Sequence, residues 1–410
     1  MPDLSLQLEQ LRLRIARLEN RGREAAPAWF EPRLAGAERN PAQGGEVVNE
    51  AGRHWQMERS WPAHSTHGVS DIGALAELPD DLLLSLGGED RGSVAPGRWA
   101  FLDTETTGLA GGSGTVAFLV GVGFITPSGF ELKQYFLREP SEEASMLDAL
   151  EADLQACDVL VTYNGKSFDV PLLDTRYLMN RRKAPFSRLD HVDLLHGARR
   201  LWRLKLESCK LQDLERRILG HERVGDVGGA FIPNLYFDYL RNGNAEPLEP
   251  VFFHNAIDIL SLACLTAIVP RAFREPELLK HGEELAGLAR WFRQEERLEE
   301  AAKLMRLALT KPMRDELVWE TLWHLGDIER KLERLDAAVA AWTELAAIGN
   351  PFQAQALERL GLHAERYDKN LAAALDFNRA AVAIESNEAR RKRVERLEAR
   401  LAKRPPGRLL

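Results

Sequence analysis

Cysteine is scarce in this sequence: the chain of 410 residues has three, Cys157, Cys209 and Cys264. They lie far apart, which excludes a disulfide framework and a CxxC metal knuckle, so we expect buried thiols. Long apolar runs are lacking too. The longest candidate, Val116 to Ile125, is interrupted by two glycines. It is shorter than the roughly eighteen apolar residues of a membrane helix. We interpret it as a buried strand and expect no membrane partner.

Two further features are missing. The N-terminus has neither the basic start nor the apolar centre of a signal peptide, so we expect a cytoplasmic protein. An overall positive charge is also absent, because the net charge is −8. This argues against a protein that coats nucleic acid with its whole surface.

Basic residues are nevertheless concentrated in one segment. Between Arg176 and Arg217 they outnumber the acidic ones. They are Arg176, Arg181, Arg182, Lys183, Arg188, Arg199, Arg200, Arg203, Lys205, Lys210, Arg216 and Arg217. The segment could hold a phosphate backbone, or it could be a solvated helical face, and charge alone does not decide between these alternatives.

The first part of the chain divides into two segments. Residues 1–21 carry leucines and an isoleucine at alternating spacings of four and three, which predicts an amphipathic helix that packs on this chain or on a second copy. Residues 22–96 are rich in Ala, Gly, Pro and Glu and indicate a partly disordered linker. Its tryptophans, Trp29, Trp55 and Trp61, suggest packing on a domain rather than stacking on bases.

Residues 97–278 show the pattern of an α/β domain. Three successive strands are predicted at Trp99–Asp103, Val116–Phe124 and Phe130–Phe136, followed by alternating helix and strand. This order predicts a mixed sheet, and it is the order of the RNase H-like fold.

Beyond residue 278 the pattern is all-α. Residues 279–386 nearly repeat themselves about every thirty-four to thirty-seven positions, close to the tetratricopeptide period. About three repeats are visible, the minimum that can bury a continuous core, and the alternative is an irregular helical bundle. Residues 387–410 are predicted to be a basic C-terminal helix or tail.

Three motifs contain the candidate catalytic carboxylates. Asp103 and Glu105 end the first strand two positions apart, so both side chains point to one face and favour a bound Mg²⁺ or Mn²⁺. Asp169 starts a helix, where it could instead be an ordinary cap. His254 and Asp258, four apart, share one face of a later helix, where they could be a simple surface pair. Their joint occurrence in this order favours a shared site.

These motifs resemble those of the DEDD exonuclease superfamily, and residues 99–267 are similar to the bacterial YprB-like RNase H-like proteins. The resemblance implies that Asp103, Glu105, Asp169 and Asp258 bind two Mg²⁺ or Mn²⁺ ions, with His254 orienting or deprotonating the attacking water. It also implies that the terminal nucleotide contacts a further set of residues. These are Thr106, Thr107, Leu109, Asn164 and Phe168.

The third motif departs from the superfamily pattern. In this chain His254 stands four positions before Asp258. The tyrosine subtype of the superfamily has a tyrosine at that position. The glycine-rich segment after Leu109 lacks the Gly-Lys-Ser/Thr of a phosphate loop, so we interpret it as a flexible turn. Asp193 could support the site from a neighbouring strand, or be structural.

Together these features predict a metal-dependent nuclease, a 3′–5′ exonuclease that hydrolyses DNA or RNA. Three alternatives stay open: an RNase H-like module that binds nucleic acid with little catalysis, a scaffold whose repeats recruit a protein partner, and a structure-selective endonuclease.

Overall fold

The computed structural model describes residues 43–86, 92–108 and 114–403. The predicted N-terminal helix at 1–21 and the C-terminal tail from residue 404 lie outside the described residues. A seven-stranded sheet with helices on both faces is followed by an entirely helical region. The predicted fold class, a mixed α/β domain followed by an all-α region, is confirmed at this level.

The sheet has the order β1-β2-β7-β6-β5-β8-β9, and the separate pair β3–β4 forms a small hairpin. Its neighbours are antiparallel except at β5–β8 and β8–β9, which are parallel. The strands are β1 (Gln43–Asn49), β2 (Gly52–Pro62), β3 (Thr66–His67), β4 (Ser70–Asp71), β5 (Trp99–Thr106), β6 (Ala117–Thr126), β7 (Gly129–Phe136), β8 (Val159–Thr162) and β9 (Asp190–Asp193).

The helices begin after β7. They are α1 (Glu143–Leu154), α2 (Asp169–Met179), α3 (Leu194–Trp202), α4 (Leu211–Leu214), α5 (Ile232–Asn242), α6 (Glu249–Arg274), α7 (Gly282–Gln294), α8 (Leu298–Leu309), α9 (Asp315–Lys331), α10 (Leu335–Ala347), α11 (Gln353–Arg366), α12 (Leu371–Ile384) and α13 (Glu388–Ala402). A π-helical turn, Glu215–Leu219, follows α4 directly.

The linker interpretation of residues 22–96 is wrong for its later part, because β1 and β2 extend the sheet beyond β7. The sequence concealed these strands because β1 lies at the edge of the sheet and β2 carries polar residues on both faces. As we expected, the tryptophans pack: Trp61 lies 6.0 Å from the ring of Phe130, and Trp55 lies under Arg138. Trp29 lies outside the described residues.

The predicted central strands are present at nearly the predicted positions. The first half of β5 is buried on both faces, and its residues alternate between two cores. Trp99 and Phe101 belong to the core that contains α3 and α6, whereas Ala100 and Leu102 belong to the one that contains α1, α2 and α5. Side chains at alternate positions of β5 therefore point to opposite faces of the sheet and contact different helices.

Two glycines in β6 allow α6 to lie close to the sheet. A Cβ added to Gly121 would stand 2.3 Å from the Asn255 side chain and from Ile259, and one added to Gly123 would stand 2.7 Å from Ile259. The glycines that interrupt the apolar run of β6 therefore have a packing role. They bring the helix that carries the third motif next to the end of β5.

Our expectation that no stretch is apolar and long enough to cross a membrane is wrong for one helical stretch, Glu246–Arg274. Its length and composition would suffice, but most of its apolar part is buried within the protein. A core helix has this character because its neighbours cover it on several sides. Of the three cysteines, Cys157 and Cys264 are buried and Cys209 is half-buried, all of them free.

The helical region continues the core of the sheet domain. One core cluster runs from Ile72 to Ile328 and includes residues of β5, α3, α6, α7 and α8. A Cβ added to Gly287 of α7 would lie 2.2 Å from the carbonyl oxygen of Arg200, so α7 and α3 pack closely. The boundary that we predicted at residue 279 therefore falls within a shared hydrophobic core.

Close helix contacts recur at two of the repeated positions. Gly326 of α9 faces Trp342 of α10, and Gly361 of α11 faces Asn378 of α12. In both pairs an added Cβ would meet the facing side chain at 2.3 Å. The repeated small residues thus allow paired helices to approach, and the tetratricopeptide-like character of the pairs stays a prediction.

Candidate metal centre

The first motif lies at the end of β5, and its carboxylates face α6. Asp103 and Glu105 lie on the same face of β5 as Phe101, and this face packs on α6. Thr104 points to the opposite face, where its Oγ1 donates a 2.5 Å hydrogen bond to Oδ1 of Asp169. Because side chains alternate between the two faces of β5, the first motif contacts the second motif through Thr104 and the third motif through Asp103.

The second motif begins α2 without a side-chain cap. Phe168 occupies the N-cap position and makes no side-chain capping hydrogen bond. Asp169 is therefore the first residue of α2 and not its N-cap. The backbone of the preceding turn is left-handed at Asn164, with a φ of 70°. That turn leads the chain from β8 back to the end of β5.

The third motif places three side chains of α6 against the first. His254 Nε2 lies 3.4 Å from Asp258 Oδ2 and 3.9 Å from Glu105 Oε1. Asn255 donates a 2.9 Å hydrogen bond to Asp103 Oδ2, and its own Oδ1 accepts one from Gln134. The structure thus brings together all five residues predicted to be catalytic.

Burial and mutual repulsion make this cluster electrostatically costly. Burial, followed by the charges of Asp258, Asp169 and Glu105, raises the pKa of Asp103 well above its usual range. Burial also raises the pKa of Glu105 to about 8 and that of Asp169 to about 6. Hard carboxylate oxygens gathered in this way fit a divalent cation such as Mg²⁺ or Mn²⁺, which would offset the repulsion.

Sequence reasoning missed two residues of the cluster, Arg223 and Asp226. Arg223 donates hydrogen bonds to Asp258 and to Glu215, with distances of 2.8 and 2.6 Å to the two oxygens of Glu215. Asp226 Oδ1 lies 2.7 Å from Nδ1 of His254. Both come from the segment between the π-helical turn and α5. That segment has no periodicity, so no local signal marked it.

The Asp226 contact sets the charge of the histidine. Burial opposes protonation of His254, but the hydrogen bond to Asp226 and the charges of Asp258 and Glu105 raise its pKa above the usual value. Burial likewise opposes ionisation of Asp226, whereas the bond to His254 and the charges of His254 and Arg223 hold the pKa of Asp226 below its usual range. The two side chains therefore form an orienting pair.

The residues predicted to contact substrate surround this cluster unevenly. Thr106 donates to the carbonyl of Gly108, and Thr107 accepts from the backbone of Val116, so both hydroxyls have partners within the turn. Phe168 is 53% exposed beside Asp169, where a base could stack on it. Leu109 lies outside the described residues.

Asp193 has a structural role. It accepts hydrogen bonds from the backbone N–H groups of Asn164, Lys166 and Leu195, which fixes the turn of the second motif and caps α3. We expected its strand to neighbour the first strand, and this is wrong because β8 lies between β5 and β9. Asp193 supports the site through the backbone of Asn164.

The structure divides the basic segment into two groups. One group has partners within the protein: Arg176 binds Glu143, Arg182 binds Asp148, Arg188 donates to backbone carbonyls, Lys205 binds Glu284 and Arg200 lies over Trp291. The other group is exposed and includes Arg199 of α3 and Arg203, the residue that follows α3. Only the residues of this second group are free to form either a solvated surface or a phosphate-binding surface, the two alternatives that the sequence left open.

Comparison with known proteins agrees with the fold of this part of the chain. Residues 100–269 match the family model of the RNase H superfamily. The chain is 33% identical over 252 residues to the Bacillus subtilis (strain 168) protein named "Uncharacterized protein YprB". That match covers 61% of this chain and 60% of the relative. Residues 100–269, which contain the carboxylate cluster, are therefore similar to domains of the RNase H superfamily.

Proposed function

We propose that this protein is a divalent-metal-dependent 3′–5′ exonuclease that hydrolyses phosphodiester bonds of DNA or RNA. The observation that carries the proposal is the convergence of Asp103, Glu105, Asp169 and Asp258 at the end of β5. Three separate elements, β5, α2 and α6, supply these carboxylates. A structural role does not account for the convergence, because burying repelling carboxylates destabilises a fold.

We assign the four carboxylates the role of holding two Mg²⁺ or Mn²⁺ ions. When bound, such ions supply Lewis-acid stabilisation of the charge that develops on the phosphoryl and leaving oxygens. The protein contributes a rigid ligand geometry. Thr104 holds Asp169, and Asn255 holds Asp103, each through a hydrogen bond to a carboxylate oxygen. Ligands that other side chains orient bind metals more tightly.

We assign His254 the role of general base. Asp226 is an acceptor when ionised, so the hydrogen bond between them places a proton on Nδ1 of His254. In the neutral ring Nε2 then carries the lone pair, and this nitrogen faces Glu105 and Asp258. It can accept a proton from water as the water oxygen bonds to phosphorus and the bond to the 3′-oxygen breaks.

The substrate strand would reach this site past Phe168, Arg199 of α3 and Arg203, which follows α3. Phe168 offers a ring for a terminal base, and stacking of that kind tolerates any base. The charge of Arg199 acts on Tyr163, which immediately precedes Asn164 of the second motif. We assign Arg199 the role of binding a backbone phosphate of the substrate near this turn.

The test uses the purified full chain with Mn²⁺ and 5′-labelled single- and double-stranded DNA and RNA. A 3′–5′ exonuclease shortens these substrates in single-nucleotide steps and leaves circular single strands intact. The double variant Asp103→Asn, Asp258→Asn and excess chelator should each abolish the ladder. Failure of all four linear substrates to shorten would overturn the proposal.

The alternatives give different results in the same assay. Cleavage of circles would identify a structure-selective endonuclease on the same fold. Metal-independent binding without cleavage would identify a nucleic-acid-binding module. A wild-type chain that neither binds nor cuts would favour a scaffold whose helical repeats recruit a protein partner.

A further inference from the structure

A second group of side chains of the types that bind metals lies beside the carboxylate cluster. It consists of His67 of the β3–β4 hairpin, Glu215 at the start of the π-helical turn, and His221 just after that turn. One ligand atom from each lies within 4.8 Å of the others. The two imidazole rings are 4.2 Å apart, and His221 Nε2 lies 4.0 Å from Glu215 Oε1. We call this group the hairpin cluster.

The backbone of the β3–β4 hairpin packs tightly against the π-helical turn at the hairpin cluster. Gly68 has a φ of 57°, and a Cβ at this position would lie 1.9 Å from the carbonyl oxygen of Leu219. Val69 donates a 2.8 Å hydrogen bond to the same carbonyl. The hairpin is thus held against a π-helical turn, a feature that often marks functional sites in proteins.

Burial makes the hairpin cluster unlike a surface group of histidines. His67 is 3% exposed and Glu215 is 1% exposed. Ser261 of α6 links them, since it donates a 2.7 Å hydrogen bond to Glu215 Oε2 and lies 2.7 Å from His67 Nε2. The desolvated polar groups are therefore positioned by a neighbouring side chain, as ligands of metal sites are.

One oxygen of Glu215 has capacity for a further bond. Oε2 accepts from Arg223 and from Ser261, whereas for Oε1 the hydrogen bond found among the described residues comes from Arg223 alone. A carboxylate oxygen can accept two bonds. Oε1 is also the oxygen nearest His221, so its remaining lone pair could bind an ion shared with the histidines.

The chemistry of the ligands selects the class of ion. Two imidazoles and one carboxylate suit Zn²⁺ and other first-row transition ions, whereas Mg²⁺ and Ca²⁺ prefer oxygen ligands. Tetrahedral Zn²⁺ has bonds of roughly 2.0–2.2 Å, which places its ligand atoms about 3.3–3.6 Å apart. Small side-chain shifts from the present spacing would satisfy that geometry. Three protein ligands leave a fourth position for water.

We propose that His67, Glu215 and His221 bind a Zn²⁺-type transition-metal ion, at a site separate from the carboxylate cluster. Burial, followed by the charges of His221 and Arg223, lowers the pKa of His67 to about 3, so its ring is neutral, as a metal ligand requires. The ion would tie the β3–β4 hairpin to the π-helical turn. The proposal does not depend on nuclease activity.

The test titrates Co²⁺, a spectroscopic probe for Zn²⁺ sites, into chelator-treated full-length protein with excess Mg²⁺ present. The background carries Asp103→Asn and Asp258→Asn, which weakens the carboxylate site. We expect visible absorption from one Co²⁺ per chain, and competition by Zn²⁺. His221→Gln removes a half-buried ligand and should weaken Co²⁺ binding at least about tenfold to a hundredfold.

His64→Gln is the matched control, because His64 is exposed and lies close to the hairpin in sequence. It should leave the titration unchanged. Equal Co²⁺ affinity in His221→Gln and in its parent would overturn the proposal, as would a parent with no Co²⁺ absorption. The parent's own spectrum requires no ligand variant, so misfolding of His221→Gln would not obscure the result. Nuclease assays with Mn²⁺ on His221→Gln in an otherwise wild-type chain separate this outcome from failure of the proposed function.

Discussion

Arg223 donates a hydrogen bond directly to Asp258, so a guanidinium from outside the three motifs partly neutralises the last carboxylate of the cluster. The same side chain binds Glu215 and approaches Asp226 at 3.4 Å. Its side chain is 6% exposed. Arg223 is thus the internal cation around which this half of the site is organised.

Arg223→Gln should therefore destabilise the protein strongly. Removing one partner of a buried ion pair leaves the other charges uncompensated, which costs about 3–5 kcal/mol. Urea unfolding of the full chain measures this loss. Arg216→Gln is the control, because Arg216 is 54% exposed in its pair with Asp213 and should contribute about 0–1 kcal/mol. Equal stabilities of the two variants would contradict the role of Arg223.

Asp103→Asn should abolish hydrolysis and yet stabilise the metal-free protein. Asn removes a buried charge that repels Glu105, Asp169 and Asp258, and it keeps an oxygen that can accept from Asn255. Burial raises the folded-state pKa of Glu105 from 4.5 to about 8, so this carboxyl is largely protonated in the folded protein at pH 5 and adds little repulsion there. As the pH rises between these two pKa values, the unfolded chain releases this proton more readily than the folded one, so the wild type loses stability progressively until about pH 8.

The gain in melting temperature of Asp103→Asn in chelator should consequently be larger at pH 8.5 than at pH 5. Thermal unfolding at both pH values measures it. Asp153→Asn is the control, because Asp153 accepts from Lys133 and Tyr135 and its loss should destabilise the protein. A variant of Asp103 that is less stable than wild type at pH 8.5 would argue against the repulsive cluster.

His254→Ala should reduce kcat by about a hundredfold to ten-thousandfold, the usual contribution of a general base. His254→Tyr should keep partial activity, since the tyrosine subtype of the resembled exonucleases has tyrosine at this interval. Asp226→Asn should reduce kcat less than His254→Ala and leave KM nearly unchanged, because Asp226 acts by positioning the ring. Single-turnover kinetics at saturating Mn²⁺ distinguishes these cases. Wild-type turnover in His254→Ala would remove His254 from the chemistry.

Neutralising Arg199 and Arg203 should weaken binding of single-stranded substrate and flatten its salt dependence. Each lost phosphate contact lowers the slope of log affinity against log salt by about 0.7. The double glutamine variant should therefore lose about 1.4 of that slope. Arg391 and Lys403, exposed residues at the C-terminal end, supply the control pair. An unchanged slope in the variant that lacks both Arg199 and Arg203 would show that these two arginines form a solvated surface.

The local parts of the site were predictable from the sequence. Side chains two apart on a strand share a face, and those four apart on a helix share one too, so the pairing of Asp103 with Glu105 and of His254 with Asp258 followed from spacing. The apolar run of β6 and the repeated small residues of the helical region were visible for the same reason. Each relationship is short-range and fixed by the geometry of one element.

What the tertiary structure alone decided is long-range. Arg223 and Asp226 come from a segment without periodicity, and they enter the site because the chain returns past α6. The strands β1 and β2 are polar enough to resemble a linker, and they form because β7 offers a free edge. Which arginines stay exposed likewise depended on partners distant in sequence, such as Glu143 for Arg176. Local spacing specifies the faces of single elements, whereas ion pairs and sheet edges form between elements that only folding brings together.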